Sequence, residues 1–180
     1  MTFHQLKNNK TKSYLAAKEL INSDALPWFH ENTSTYDSHD EYDNLPFYSH
    51  VFLLRPNWNG LSKKYYPEVK SGYIDLVYEA LVDIIDLNDI NLNCFYRINA
   101  NCVHPSKNNK LTTPHYDHQF PHVNMILYLN DAGGETVLLT ESGEKLVHNP
   151  KEDDVIVFQG LHCHRPPKEK RRLVLVATFI

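Results

Sequence analysis

The strongest periodicity in the chain lies between residues 73 and 85. Tyr73, Leu76, Val77, Ala80, Leu81, Ile84 and Ile85 recur at three- and four-residue spacing. That spacing predicts a helix with one apolar face, ending near Asp86 or Leu87. Pro67 stands upstream, suited to a first turn where a missing N–H costs little. A weaker helical stretch, Tyr14 to Ile21, lies inside a polar, lysine-rich segment of residues 1–24. Leu26-Pro27-Trp28-Phe29-His30 reads as an aromatic anchor packed onto the core. Residues 31–46, with Glu31, Asp37, Asp40, Glu41, Asp43 and Pro46, read as an exposed acidic loop. Tyr48–Arg55 reads as a strand, broken by Pro56-Asn57-Trp58-Asn59-Gly60.

From residue 90 the texture changes to short β-rich segments. Candidates are Leu92–Asn99, Val123–Leu129, Thr136–Thr140, Lys145–His148, Val155–Phe158 and Leu173–Phe179. Turn signals separate them, among them Asn130-Asp131-Ala132-Gly133-Gly134, Ser142-Gly143 and Asn149-Pro150. Gly133 and Gly134 suit a tight hairpin turn. Asn101–Thr113 reads as a polar loop. Helices first and punctuated strands after predict a mostly β protein with flanking helices (α+β). The expected architecture is a double-stranded β-helix, a cupin-like jelly roll, on an N-terminal helical support. Residues 1–180 are read as one domain, with the support in 1–90 and the jelly-roll core in 91–180.

Composition narrows the function. Apolar residues make up 42% of the 180, which excludes wholesale disorder. No apolar run approaches the roughly 20 residues that span a bilayer. The N-terminus lacks the pattern of a secretory signal. A net charge of −4 disfavours nucleic acid as a partner. Three cysteines, Cys94, Cys102 and Cys163, form no disulfide framework and no zinc-ribbon pair, so a reducing cytoplasm is expected.

The chemistry concentrates downstream of residue 115. His115-Tyr116-Asp117 places an imidazole and a carboxylate on one face if the segment is extended. An isolated H-x-D arises often by chance. Here His162 follows 47 residues later, and Arg172 ten residues after that. Two histidines and one carboxylate on one face of a metal leave the opposite positions open, as in non-haem Fe(II) oxygenases. A bidentate 2-oxo acid and then O2 would take those positions. An arginine fork would hold the far carboxylate.

These elements resemble a known family. His115-Tyr116-Asp117, Tyr128-Leu129-Asn130, Gly133-Gly134-Glu135-Thr136, then Phe158, His162, Pro166 and Arg172 run in the order and near-spacing of the 2-oxoglutarate/Fe(II)-dependent dioxygenases. The likeness is to their prolyl-4-hydroxylase-like branch and covers residues 92–180. It implies that His115, Asp117 and His162 hold Fe(II), and that Arg172 binds the distal carboxylate of 2-oxoglutarate with Tyr128. It implies that Thr136 lines the co-substrate pocket. The implied reaction consumes O2 and 2-oxoglutarate, releases succinate and CO2, and hydroxylates a C–H bond of a small molecule or a protein side chain. The distal histidine has two candidates. His164 stands six residues after Phe158, a spacing frequent in relatives, whereas His162 stands ten before Arg172 and four before Pro166. His162 is favoured, with His164 left beside the iron or the substrate.

Plainer readings stand beside these. Tyr128 could be core, and Thr136 a β-former after a Gly-Gly turn. His118 and His122 read as surface or substrate-rim residues. Arg171 reads as solvated and Cys163 as a small packing residue. Arg97 and Asn99 are candidate substrate contacts. The competing function is a non-oxygenase cupin-like metal- or ligand-binding jelly roll, which has no need of a dicarboxylate anchor at Arg172 and Tyr128. Substrate identity and oligomeric state are open.

Overall fold

The computed structural model describes residues 2–33, 41–56 and 67–180. Asp37 and Asp40 of the acidic segment, and the strand breaker at 57–60, lie outside the described residues.

In chain order the elements are β1 (His4–Gln5), α1 (Lys12–Asn22), β2 (Phe29–Glu31), β3 (Phe47–Leu54), β4 (Glu68–Val69) and α2 (Ile74–Leu87). There follow β5 (Phe95–Val103), β6 (Val123–Tyr128), β7 (Thr136–Leu139), β8 (Lys145–His148), β9 (Val155–Phe158), β10 (His162–His164) and β11 (Arg172–Phe179). The large sheet runs β1-β9-β6-β11-β5-β3-β2, with β4 paired to β3. The small sheet runs β10-β7-β8, and His115 bridges His162 at its β10 edge. The chain leaves the large sheet for the small one after β6 and again after β9, so β11 returns between β5 and β6 and β10 pairs with β7. This is the double-stranded β-helix expected from the strand pattern.

Both faces of the large sheet are buried, and alternate residues serve different layers. On β11, Leu173, Leu175, Ala177 and Phe179 join the core under the helices, with Tyr14 and Ile21 of α1 and Val77, Leu81 and Ile84 of α2. Val174 and Val176 face inward instead, packing with Ile126, Ile156 and Phe158 and with Leu138 of the small sheet. The helices therefore stiffen the sheet whose other face forms the site. Thr11 caps α1 by accepting the Tyr14 N–H, which supports a helix that is apolar on only part of its surface.

Several expectations change. Pro67 does not open α2: Glu68–Val69 pairs with β3, and Tyr73 caps the helix with no side-chain hydrogen bond. Glu31 belongs to β2, not to a loop, because Phe29–Glu31 pairs with Phe47–Ser49. In the aromatic anchor, Leu26 is buried and Trp28 packs against the core, but Phe29 is 61% exposed. β5 begins at Phe95 rather than Leu92 and runs on to Val103. Asn101 and Cys102 look like loop in sequence because Asn101 faces a cavity rather than the core. Gly133 and Gly134 have φ of +68° and +85°, but they carry the chain from the large sheet to the small one and close no hairpin. No helix among the described residues is long and apolar enough to cross a membrane.

Candidate metal centre and co-substrate cavity

His115 and His162 exchange two backbone hydrogen bonds, of 2.9 and 3.1 Å, which sets their rings side by side with centroids 4.5 Å apart. His164 follows on the same face of β10, its centroid 5.2 Å from that of His162. The ligand atoms of His115, His162 and His164 all lie within 4.8 Å of one another. Each ring makes its hydrogen bond through Nδ1: His115 with Thr113 O (3.0 Å), His162 with Gly160 O (3.2 Å) and His164 with Thr136 Oγ1 (3.0 Å). A backbone carbonyl can only accept, so Nδ1 of His115 and of His162 is the donor, and Nε2 is the ring nitrogen left to face a metal. Burial pushes His162 down to about 4, only partly opposed by Asp117, and holds His164 well below the usual histidine range. Both imidazoles are neutral at pH 7, the form that ligates metals.

Asp117 reaches the same place from a bend beyond the His115 bridge, not from a strand. Its Oδ2 lies 3.7 Å from His162 Nε2, and its Oδ1 accepts from Arg97 Nη1 at 2.6 Å. Arg55 also donates to the Asp117 backbone carbonyl at 2.9 Å. Burial alone would raise this carboxyl. The Arg97 charge, with His162 and His115, outweighs burial and holds it well below the usual carboxylate range. Two donors bound at roughly 2.1 Å on adjacent positions of an octahedral ion stand about 3 Å apart. The His162–Asp117 spacing is wider than that, and Asp117 is not part of the three-histidine group within 4.8 Å. By donor type, neutral imidazoles with one carboxylate, the residues suit a divalent transition metal.

The far end of the site is cationic. Arg172 opens β11 and is 5% exposed. Its Nη1 donates to Gly134 O (2.5 Å) and Arg165 O (3.0 Å), while its Nε is buried with no partner. No carboxylate among the described residues forms an ion pair with it. Beside it, the Tyr128 hydroxyl is 2.7 Å from Thr136 Oγ1, and burial pushes that phenol up to about 12, so it remains protonated. Gly134 is required here: a Cβ would stand 2.6 Å from Arg165 O and 2.7 Å from Arg172 Nη1, at φ +85°.

One cavity of about 400 Å³ joins the two ends, lined by His115, Asp117, His162, Tyr128, Thr136 and Arg172. His164 lines it too, together with three asparagines that the strand pattern did not single out as a set: Asn99, Asn101 and Asn124. Asn99 Oδ1 and both amide atoms of Asn124 are buried without a partner. Their signal in the sequence is a polar residue at the inward parity of an otherwise apolar strand. Arg97 also lines the cavity, but its guanidinium is engaged by Asp117.

Other residues fall elsewhere. His118 and His122 are 7% and 6% exposed, not surface groups. His118 bonds Thr178 Oγ1 (2.7 Å) and stacks on Phe120. Arg171 is exposed. Cys163 alternates away from its histidine neighbours, is buried opposite Val137, and has its thiol pushed up to about 11, chiefly by burial. All three cysteines are free.

Known structures share this fold. A 2OG-Fe(II) oxygenase family oxidoreductase from Burkholderia pseudomallei superposes with a TM-score of 0.68 at 15% identity, over 93% of this chain and 79% of that one. A Pseudomonas putida prolyl-4-hydroxylase matches with a TM-score of 0.55 at 16% identity, over 98% and 91%. A Trichoplax adhaerens prolyl hydroxylase, in complex with a hypoxia inducible factor oxygen degradation domain peptide fragment, matches with a TM-score of 0.58 at 12% identity, over 99% and 83%. No protein-family model and no curated protein sequence matches the chain.

Proposed function

We propose that this protein is an Fe(II)- and 2-oxoglutarate-dependent dioxygenase that hydroxylates a C–H bond. The observation that carries the reading is Arg172. A buried guanidinium with no carboxylate partner is costly unless a ligand supplies the anion, and this one shares a cavity with a cluster of metal-type donors. A plain cupin-like metal-binding module would have no use for it. The likeness to 2-oxoglutarate oxygenases supports the same reading through the fold, which by itself fixes no function.

In this assignment His115, Asp117 and His162 hold Fe(II). Arg172 and the Tyr128 hydroxyl bind the distal carboxylate of 2-oxoglutarate, with Thr136 bracing Tyr128. The bound metal and co-substrate supply the oxidising power, as O2 and 2-oxoglutarate are converted to succinate, CO2 and a hydroxylated product. The chain's own part is positional. The Nδ1–H bonds to Thr113 O and Gly160 O fix two imidazoles in the ligating tautomer. Arg97 takes one oxygen of Asp117 and leaves the other for the metal. Ile126, Val174 and Val176 line the cavity with apolar surface that limits water near the reacting centre.

The primary substrate is assigned as a small molecule or a peptidyl side chain. The prolyl hydroxylases of like fold support the second, and the cavity's buried asparagine amides favour a neutral polar group. Residues 1–180 act as one domain in this reading, and three free cysteines suit the cytoplasm.

Anaerobic mixing of the protein with Fe(II) and 2-oxoglutarate tests the assignment. It should give the visible absorption of a metal-bound 2-oxo acid, and admitting O2 should yield succinate. Folded protein that binds Fe(II) but shows neither would leave the metal-binding jelly roll as the better reading.

A further inference from the structure

Three histidines, not two, turn toward the metal end of the cavity, and all three are dressed alike. Each uses Nδ1 for a hydrogen bond to oxygen, which leaves Nε2 as the free donor. The three ligand atoms fall within one 4.8 Å group. His164 differs from the others in one respect. Its partner is the Thr136 hydroxyl, which can accept or donate, where His115 and His162 face carbonyls that can only accept. Thr136 in turn contacts the Tyr128 hydroxyl at 2.7 Å, beside Arg172.

We propose that His164 is a fourth metal donor in the enzyme without co-substrate, and that 2-oxoglutarate displaces it. This rests on the oxygenase reading above. The counting is simple. Four protein donors on a six-coordinate ion leave two positions, and a bidentate 2-oxo acid would fill both, with none left for O2. His164 must therefore leave the metal for turnover to begin. Thr136 provides its resting place and controls its tautomer. With the Thr136 oxygen accepting from Nδ1–H, Nε2 carries a lone pair and ligates. With the Thr136 hydroxyl donating to Nδ1, the proton sits on Nε2 and the ring cannot ligate. Tyr128 lies at the other end of the same two-bond chain, so engagement of the distal carboxylate reaches His164 through two side chains, Tyr128 and Thr136. The consequence is a closed metal site that opens when co-substrate arrives.

The test uses Co(II) as the metal probe, with the full-length protein, with and without 2-oxoglutarate. His164→Asn keeps an amide within reach of Thr136 and removes the Nε2 donor; His164→Ala removes both. Without 2-oxoglutarate, each variant should bind Co(II) about tenfold or more weakly than wild type, with an altered ligand-field spectrum. With saturating 2-oxoglutarate the affinities should converge. By linkage, 2-oxoglutarate should then bind the Co(II)-loaded variants more tightly than wild type, by the same factor. Circular dichroism and thermal melts confirm that the variants fold, and if His164→Ala does not, His164→Asn carries the test. Wild-type Co(II) affinity in folded His164→Asn overturns the proposal, as does weaker 2-oxoglutarate binding, since that would make His164 a contact for the co-substrate. Both outcomes leave the oxygenase reading standing. Wild-type protein that binds no Co(II) removes the oxygenase reading and this proposal together.

Discussion

Arg97 Nη1 donates to Asp117 Oδ1 at 2.6 Å, and the other carboxylate oxygen faces His162 Nε2 at 3.7 Å. The arginine stands on β5 of the large sheet, whereas the aspartate lies beyond the His115 bridge at the small sheet's edge. The ion pair thus joins the two layers at the metal end of the cavity. It also divides the labour of the carboxylate, one oxygen for the guanidinium and one for the ion. Partners that orient metal ligands commonly contribute about 10–100-fold to metal affinity. Arg97→Gln is therefore expected to weaken Co(II) binding by about tenfold or more while the protein stays folded. Arg97→Lys should recover only part, because an ammonium cannot reproduce the planar fork. A metal titration of both variants decides it, and unchanged affinity in Arg97→Gln would leave the ion pair with a purely structural role.

Arg172→Ala should separate co-substrate binding from metal binding. A charge-assisted hydrogen bond contributes about 1.5–3 kcal/mol, so 2-oxoglutarate affinity should fall by roughly tenfold to a hundredfold. Co(II) affinity without 2-oxoglutarate should change little. The variant also strips donors from Gly134 O and Arg165 O, so a lower melting temperature accompanies the effect. The check is a 2-oxoglutarate titration of the metal-loaded protein. An undiminished affinity would move the anchor to another cation, with Arg165, which also lines the cavity, the first to consider.

Much of this was legible in the sequence where one physical signal dominated. The apolar stripe from Tyr73 to Ile85 has no good solution except a helix packed on one side, and α2 spans Ile74–Leu87. Strands β6, β8 and β9 fall at or within one residue of their expected bounds, because apolar runs between turn residues leave little choice. The signal fails where a residue answers to the cavity rather than to its strand. Asn101 broke the apolar pattern of β5 because it faces the site, and so a strand end read as loop. β10 spells His-Cys-His, too short and too polar to declare itself, yet it carries two histidines of the cluster. The Arg97–Asp117 pair spans 20 residues and two sheets, and only the fold could reveal it. His118 and His122 read as surface or substrate-rim residues because His118 is offset from the face of His115 and Asp117, whereas both are buried, His118 against Thr178 and Phe120 and His122 against Phe120.

Gly133 and Gly134 offer a matched pair of substitutions. Both have positive φ, so alanine at either is strained by about 1–2 kcal/mol. They differ in surroundings. A Cβ at Gly133 meets nothing within 4 Å, whereas one at Gly134 meets Arg165 O and Arg172 Nη1. Gly133→Ala should lower stability modestly and leave 2-oxoglutarate affinity intact. Gly134→Ala should lower stability further and weaken 2-oxoglutarate binding by displacing Arg172. Thermal melts with co-substrate titration read both effects. Equal behaviour of the two variants would show that the guanidinium does not depend on this close approach.

The acid limb of stability should be set in part by Asp153, far from the cavity. This residue ties the N-terminal support to the turn before β9. It accepts from Tyr14 Oη (2.6 Å) and Lys18 Nζ (2.5 Å), and pairs with Lys10 at 2.7 Å. Burial would raise its carboxyl, but Lys10, Lys18 and Tyr14 outweigh burial and bring it down to about 2. An unfolded aspartate titrates near about 3.9, so the folded state binds this proton less readily. The stabilisation is then complete above about pH 5 and is lost as pH falls toward 2. Asp153→Asn removes it at every pH. Asparagine also tolerates the residue's φ of +68°, so backbone strain is not added. Near pH 7 the variant should be less stable by about 1–2 kcal/mol, with the side chain 15% exposed and partly screened. Between pH 5 and pH 2.5 the gap should narrow, since wild type loses what the variant never had. Urea unfolding at several pH values measures it, and a gap that stays constant down to pH 2.5 would mean that shape at this turn, not charge, is what Asp153 contributes.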